Sequence, residues 1–225
     1  MPGSWIAPLI VLVIIGIFAS VLSVAIYQAR KVQRFWNMLP AYGFKPVLLP
    51  DAELQDRLSN LMRGAEALNL YVNDQGDYRI YLFQAVQPGS QNNNTDGSLT
   101  AAIESPSMDL PKIILIPDLG NGLLAGAAER FIGFALDKDL VHTELPEFEK
   151  QYTLYTAFPL EARGFFTEAR SNRLAANPRN WLIQAAGDLL VFSRVSMEAR
   201  PKDEELFLQR VKEDAAELYL IFAYL

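Results

Sequence analysis

The sequence predicts an α+β domain that follows a single transmembrane helix. Residues 5–27 form an apolar run without a charged residue, and the candidate strands farther along occur in hairpins with candidate helices grouped between them. Such a pattern favours an antiparallel or mixed sheet with flanking helices over a doubly wound sheet. The predicted organisation is a short exterior N-terminus at 1–4, the helix at 5–27, a basic juxtamembrane segment and linker at 28–50, and a cytoplasmic domain at 51–225.

The apolar run reads WIAPLIVLVIIGIFASVLSVAIY and holds 23 residues. As a helix it is about 35 Å long at ~1.5 Å per residue, and the hydrocarbon core of a bilayer is about 30 Å thick. A cleaved signal peptide is the alternative, and Ser23-Val24-Ala25 resembles a cleavage site. A signal peptide, however, has a basic segment before a core of about 7–15 apolar residues. Only Met-Pro-Gly-Ser precedes Trp5, so the sequence favours a retained anchor.

Basic residues on one side of the run predict its orientation. Arg30, Lys31 and Arg34 follow the run, whereas no Lys or Arg precedes it. Because basic residues near a span stay on the cytoplasmic side, we expect the N-terminus outside the inner membrane and the domain in the cytoplasm. Aromatic rings favour the two membrane interfaces. The rings in suitable positions are Trp5, Tyr27 and Trp36.

Small residues within the run predict contact with another transmembrane helix. Gly16 and Ser20 are four residues apart, and Ser23 follows three residues later. A stripe of small side chains lets a second helix approach closely. The expected partners are therefore the membrane and integral membrane protein subunits.

Composition excludes several classes of function. Three of the 20 basic residues lie at 30–34, which leaves 17 basic residues against 26 acidic ones, a charge of about −9, from Phe35 onward. An acidic domain repels phosphate backbones, which argues against a nucleic-acid partner. The chain has no cysteine, which excludes disulfides, thiolate metal ligands and a cysteine nucleophile.

The first half of the domain predicts a helix and a hairpin. Asp51 is a candidate N-cap for a helix that Gly64 ends. Residues 68–73 and 77–86 then read as two strands around an Asn-Asp-Gln-Gly turn, with the second strand half-buried. Further strands are predicted at 100–104, 112–117, 139–145 and 148–158.

The second half predicts two helical segments and another hairpin. Pro159 suits the first position of a helix that extends to about residue 176 and can break at Gly164. Gly187-Asp188 is the predicted turn between strands at 181–186 and 189–195. A last helix, opened by Pro201, has an apolar face. That face consists of Phe207, Val211, Ala215, Leu218 and Phe222. The apolar tail at 218–225 either packs on the sheet or meets a partner or the membrane.

Two features are candidates for chemistry. Gly120, Gly122 and Gly126 follow a strand and open a helix, which is a context for phosphate binding at a helix N-terminus. Their spacing fits neither the dinucleotide fingerprint nor a P-loop, so a tight turn is the favoured interpretation. His142 is the one histidine and lies in an acidic stretch, where a surface position is favoured over a metal or catalytic site.

Part of the domain resembles an uncharacterised family of bacterial membrane-anchored proteins. The runs FEKQYTLY at 148–155 and PLEARGFFT at 159–167 are similar to the family patterns FExxFxVY and EARxxLT. A strand pair like 181–192 follows in that family, and a strand ending in Pro-Asp, like 116–118, precedes. The resemblance covers roughly residues 112–195. It implies a membrane-tethered α+β domain and assigns no catalytic residue, although the family usually has two N-terminal spans.

Taken together, these features predict a non-enzymatic accessory or scaffold subunit of a larger membrane complex, which could be respiratory, photosynthetic or transport-related. No cofactor is expected. Contacts are expected through the span and through the last helix. The alternative is a membrane-anchored ligand- or nucleotide-binding domain, or an enzyme, that uses the Gly120–Gly126 turn.

Overall fold

A computed structural model describes the chain at residues 27, 30, 33–86, 98–118, 139–176, 179–194 and 203–225. The chain divides into two compact units, Met1–Gly43 and Phe44–Leu225. Within the described residues, no helix combines the length and the apolar character that crossing a membrane requires. The span predicted at 5–27 lies outside the described residues, apart from Tyr27.

Regular structure begins before the predicted domain boundary. Residues 33–38 are helical, and a 3-10 helix follows at Leu39–Tyr42. Gly43 ends it with a φ of 81°, which a residue without a side chain adopts at no steric cost. Its N–H donates to the carbonyl of Pro40 at 3.0 Å. The segment predicted as a linker therefore has helical structure over much of its length.

The second unit is built on one antiparallel sheet. Nine strands are described in it, in the spatial order β1-β2-β3-β4-β9-β8-β5-β7-β6, and each neighbouring pair is antiparallel. The strands are β1 Lys45–Pro46, β2 Glu66–Asp74, β3 Arg79–Val86, β4 Ser98–Glu104, β5 Leu110–Pro117, β6 Asp139–Val141, β7 Tyr152–Thr156, β8 Trp181–Gly187 and β9 Leu189–Arg194. This sheet and the helices below confirm the predicted α+β class.

Five α-helices accompany the sheet in the described part of this unit. They are α1 Ala52–Leu61, α2 Pro146–Glu149, α3 Pro159–Phe165, α4 Glu168–Ala175 and α5 Glu204–Tyr224. The predicted cap of α1 is confirmed, since the Asp51 carboxylate accepts from the N–H of Glu53 at 3.1 Å. Asp203 caps α5 by accepting from the N–H of Leu206, so that helix begins three residues after Pro201.

Helix α1 covers one face of the sheet. Its Leu54 and Leu58 pack with alternate residues of the central strands, among them Phe83, Ala102 and Val191. Alternate positions on a strand point to opposite faces. The intervening residues therefore face the other side of the sheet, where α5 lies across β4.

The two predicted hairpins are confirmed. Strands β2 and β3 pair from Asp74↔Arg79 outward. Strands β8 and β9 pair around a turn in which Gly187 has a φ of 62°. The prediction that β3 is half-buried was wrong. Its Ile80, Tyr81, Leu82 and Phe83 are all buried, because helices cover both faces of the sheet at this strand.

Three predicted elements differ from the structure. The extended segment predicted at 148–158 contains a short helix, α2, and the strand shortens to Tyr152–Thr156. Pro146 at the first helical position favours that turn. The predicted break at Gly164 lies instead at 166–167, where the Thr167 hydroxyl caps α4 by accepting from the N–H of Arg170. The strand predicted at 139–145 is described as Asp139–Val141.

Candidate functional site

Most residues that the sequence singled out lie outside the described part of the chain. These are Trp5, Gly16, Ser20, Ser23, Lys31 and the turn from Gly120 to Gly126. Tyr27, Arg30 and Arg34 have helical backbone and exposed side chains. The Trp36 ring contacts Phe35 edge-on, with 5.3 Å between ring centroids. The membrane and helix-contact roles of these residues stay predictions.

His142 lies on a surface loop, as the favoured interpretation expected. Its side chain is 71% exposed, and its Nδ1 lies 3.6 Å from a carboxylate oxygen of Glu149. Glu149 also accepts from the N–H of Glu144 at 3.1 Å and from the backbone and hydroxyl of Thr143. Desolvation raises the pKa of Glu149, but these hydrogen bonds outweigh it and leave the pKa below its usual value. Among the described residues, no group of three or more His, Asp and Glu side chains is placed to hold a metal ion.

Helix α5 is where the polar and apolar features of this unit meet. The predicted apolar face is confirmed, since Phe207, Val211, Ala215, Leu218 and Phe222 are all buried. The same helix carries a buried carboxylate in its middle, a hydrogen-bonded row of hydroxyls near its end and exposed apolar side chains in its last turns. We treat this helix as the candidate functional element.

The buried carboxylate belongs to Asp214, which is 1% exposed. Its Oδ1 accepts from Nη1 of Arg179 at 2.7 Å, and its Oδ2 accepts from Nε of Arg194 at 2.6 Å. A second bond runs from Nη2 of Arg194 to Oδ1, so this guanidinium binds the carboxylate with two parallel bonds. We call these three residues the Arg–Asp–Arg cluster. It joins the middle of α5 to the last residue of β9 and to the segment just before β8.

Two residues of the sheet lie beside this cluster. Trp181 pairs in register with Arg194, and its ring centroid is 5.7 Å from the Arg179 guanidinium. Burial raises the pKa of Tyr152 to about 12, and the negative charge of Asp214 acts in the same direction. The cluster therefore lies beside two buried aromatic side chains, those of Trp181 and Tyr152.

Arg170 connects three helices near the end of α5. Its Nε donates to the carbonyl of Ile221 at 3.0 Å, and its Nη1 donates to the carbonyl of Phe165. These carbonyls lie in the last turns of α5 and α3, where helix carbonyls lack intrahelical partners and carry partial negative charge. The guanidinium also lies 3.8 Å from the centroid of the Phe165 ring. Desolvation lowers the pKa of Arg170.

A row of four hydroxyls ties the last turns of α5 to the sheet. Ser105 donates to the carbonyl of Asp77 at 2.7 Å, and the row continues through Ser107 at 2.8 Å, Tyr219 at 3.0 Å and Tyr224 at 3.1 Å. A hydroxyl has one hydrogen to donate, and a carbonyl only accepts. Each member must therefore donate toward Asp77, so Tyr224 donates to Tyr219. That bond raises the pKa of Tyr224.

Beyond this row, α5 presents apolar side chains to solvent. Leu220 is 50% exposed, Tyr224 63% and Leu225 45%. Leu220 and Tyr224 are four residues apart and thus neighbours on one side of the helix. We call these three residues the apolar end of α5. The sequence left open whether the tail at 218–225 packs on the sheet or faces outward. In the structure Leu218, Tyr219, Ile221 and Phe222 of this tail are buried, whereas the three residues of the apolar end are exposed.

Sequence reasoning missed the arginines and the buried aspartate. Asp214 follows Val211 by three residues and precedes Leu218 by four, so helical spacing places it on the buried face. A carboxylate in that position signals a buried cation partner. Its partners lie 35 and 20 residues away in sequence, and no local pattern identifies them.

Comparison with known proteins identified no family. No family model matches the chain, and no curated protein matches it. A crystal structure of the mycobacterial trehalose monomycolate transport factor A, TtfA, is similar with 13% identity over 84% of this chain and 94% of that chain, at a TM-score of 0.47. A likeness of this size says nothing about function.

Proposed function

We propose that this protein is a non-enzymatic accessory or scaffold subunit of a larger membrane complex. The anchor at 5–27 tethers it to the inner membrane, with the N-terminus outside and the domain in the cytoplasm. Its partners are integral membrane protein subunits, contacted through the span and through the apolar end of α5. Respiratory, photosynthetic and transport complexes all fit this description.

The apolar end of α5 is the observation that carries the proposal. Most large apolar side chains of this helix are buried, whereas Leu220, Tyr224 and Leu225 are between 45% and 63% exposed and adjacent. Contiguous exposed apolar groups mark protein or membrane contact sites, and tyrosine is enriched in protein interfaces. The hydroxyl row and Arg170 hold the same turns on the domain, so the surface is presented on rigid backbone.

Native mass spectrometry of the protein extracted in mild detergent tests this proposal. We expect a complex that contains this chain and at least one integral membrane protein. A lone monomer under gentle extraction would contradict it.

A matched pair of variants locates the contact. Leu220→Glu places a charge in the apolar end and should weaken the complex by the loss of a desolvated contact. Leu206→Glu is the control, because Leu206 is 41% exposed on the same helix but 14 residues earlier. Equal retention of the complex in both variants would remove α5 from the interface.

The orientation has its own test. A protease added outside intact cells should leave residues 36–225 undigested, because the basic residues at 30–34 keep that side of the span in the cytoplasm. Digestion of the domain in intact cells would reverse the assignment, and digestion only after the cells are opened supports it.

A further inference from the structure

The turn between β1 and α1 displays two adjacent leucines to solvent. Leu48 is 87% exposed and Leu49 is 91% exposed, more than any other large apolar side chain in the described part of the chain. Single exposed apolar residues are ordinary on a protein surface, whereas apolar groups that are exposed side by side mark contact sites. We call Leu48 and Leu49 the leucine tip.

The backbone is fixed on both sides of the leucine tip. Before it, the N–H of Val47 donates to the carbonyl of Leu70 on β2 at 2.9 Å, and the Val47 side chain packs against the core beneath α1. After it, Asp51 caps α1. Pro46 and Pro50 flank the turn, and a proline ring holds φ near about −65°. The fixed flanks therefore present the two leucines outward.

The composition of the turn favours a lipid bilayer over a protein as the partner. Protein interfaces are enriched in aromatic side chains and arginine, and leucine is under-represented among the residues that dominate their binding energy. Residues 45–53 contain neither an aromatic residue nor an arginine. Leucine is among the side chains that most favour the membrane interior. Two protruding aliphatic side chains also enter a fluid bilayer without a matching pocket, which a protein partner would have to provide.

The chain tethers the leucine tip to a membrane. Leu48 follows Tyr27, the last residue of the predicted span, by 21 residues. A short tether gives a second contact a high effective concentration, so two inserted side chains add to the hold of the span without having to suffice alone. This step rests on the proposed function, which supplies the anchor.

We propose that the leucine tip inserts into the boundary between lipid headgroups and acyl chains and holds the domain against the membrane. The insertion is apolar rather than electrostatic, because the exposed Lys45 is offset by Asp51 and Glu53, which are exposed as well. Anionic lipid should therefore not strengthen it, in contrast to a polybasic membrane contact.

A fluorophore at the leucine tip tests the insertion. The chain has no cysteine, so Leu49→Cys takes a single environment-sensitive dye. The full chain is placed in phosphatidylcholine nanodiscs that contain a lipid with a spin label near the headgroup end of its acyl chain. We expect quenching about twofold or more stronger than for the same dye on Leu160→Cys, because only an inserted dye meets the spin label. Leu160 is the matched control, since it is 85% exposed and also adjoins a proline but lies on α3.

A second substitution connects the quenching to the leucines. Leu48→Asp in the chain labelled at Leu49→Cys should reduce the quenching by about half or more, because a carboxylate is costly to place among acyl chains. Leu160→Asp in the same labelled chain is the control and should leave the quenching unchanged. Both side chains are almost fully exposed, so neither substitution should change the melting curve measured by circular dichroism.

The outcomes distinguish the leucine tip from the anchor. A chain absent from the nanodisc fraction would contradict the anchor and the insertion together. A chain that stays in the nanodiscs but shows equal quenching at positions 49 and 160 would overturn the insertion alone. Quenching at position 49 that requires phosphatidylglycerol would overturn the apolar mechanism. Shielding of position 49 from an aqueous quencher in native membranes, without excess quenching in the nanodiscs, would overturn the insertion and assign the leucine tip to a protein partner.

Discussion

Arg170 on α4 donates its Nε N–H to the carbonyl of Ile221 on α5 at 3.0 Å. The same guanidinium donates to the carbonyl of Phe165 on α3, so one side chain caps the C-terminal ends of two helices. Arg170 is 8% exposed, and within the described residues no carboxylate pairs with it. In place of a carboxylate, the partial negative charges at the C-terminal ends of two helices and the face of an aromatic ring stabilise the positive charge of Arg170.

This arrangement predicts that Arg170→Met destabilises the domain. Methionine fills a similar volume but leaves the carbonyl of Ile221 without the Arg170 donor, at a cost of about 1–3 kcal/mol in the free energy of unfolding, whereas the carbonyl of Phe165 still accepts from the N–H of Thr167. Urea denaturation measures the change. Arg173→Met is the control, because Arg173 is 55% exposed, its pair with Glu217 lies near solvent, and its loss should change less. Similar losses in both variants would contradict the capping role.

The Arg–Asp–Arg cluster predicts a larger effect at Asp214. Asp214→Asn keeps the shape of the side chain but removes the buried negative charge that both guanidinium groups bind. Removal of one partner from a buried ion pair costs about 3–5 kcal/mol, so we expect a loss of this size in urea denaturation. Asp188→Asn is the comparison, since Asp188 is 43% exposed and pairs with Arg57 alone. Its expected loss is within about 1 kcal/mol.

The buried tyrosine beside this cluster predicts an alkaline transition. Burial raises the pKa of Tyr152 to about 12, from 10.0 for a free side chain. Because the folded state holds this proton more tightly than the unfolded state, the stability from the neutral phenol is complete below pH 10. It is lost as the pH rises from 10 to about 12, by roughly 2–3 kcal/mol.

Denaturation of Tyr152→Phe across pH 8–12 measures this contribution. The variant has no phenol to ionise, so its stability should fall less steeply above pH 10 than that of the wild type. Tyr155→Phe is the matched control, because Tyr155 lies on the same strand but on the opposite face. Parallel pH profiles for Tyr152→Phe and the wild type would show that Tyr152 does not titrate in the unfolding transition.

Local signals predicted the elements of this fold better than their arrangement. The β8–β9 hairpin and the cap of α1 depend on neighbouring residues, so Gly187 and Asp51 identify them from sequence. The pairing of β4 with β9 depends on residues about ninety positions apart, as in Ala101↔Phe192. A period of two assigns a residue to a face of a sheet but does not name the neighbouring strand.

The same limit applies to the candidate site. The apolar end of α5 could be predicted in part, since the tail at 218–225 is apolar all round and a helix buries only one side. The Arg–Asp–Arg cluster could not be predicted, because Arg179 and Arg194 meet Asp214 only through the tertiary fold. Surface and partly buried arginines look alike in sequence.

The last prediction concerns the span, which the sequence marks as a second contact surface. Gly16→Leu, Ser20→Leu and Ser23→Leu together replace small side chains by bulky ones, which prevents close approach of a neighbouring helix. Insertion should persist, since leucine favours the membrane interior. We expect a weaker complex in native mass spectrometry and unchanged membrane fractionation.

Ile10→Leu, Val13→Leu and Ile17→Leu provide the control, because these changes in the same run keep bulky apolar side chains bulky. If both triple variants keep the complex, the span is only a tether. The apolar end of α5 must then hold the contacts, and Leu220→Glu alone should release the partner.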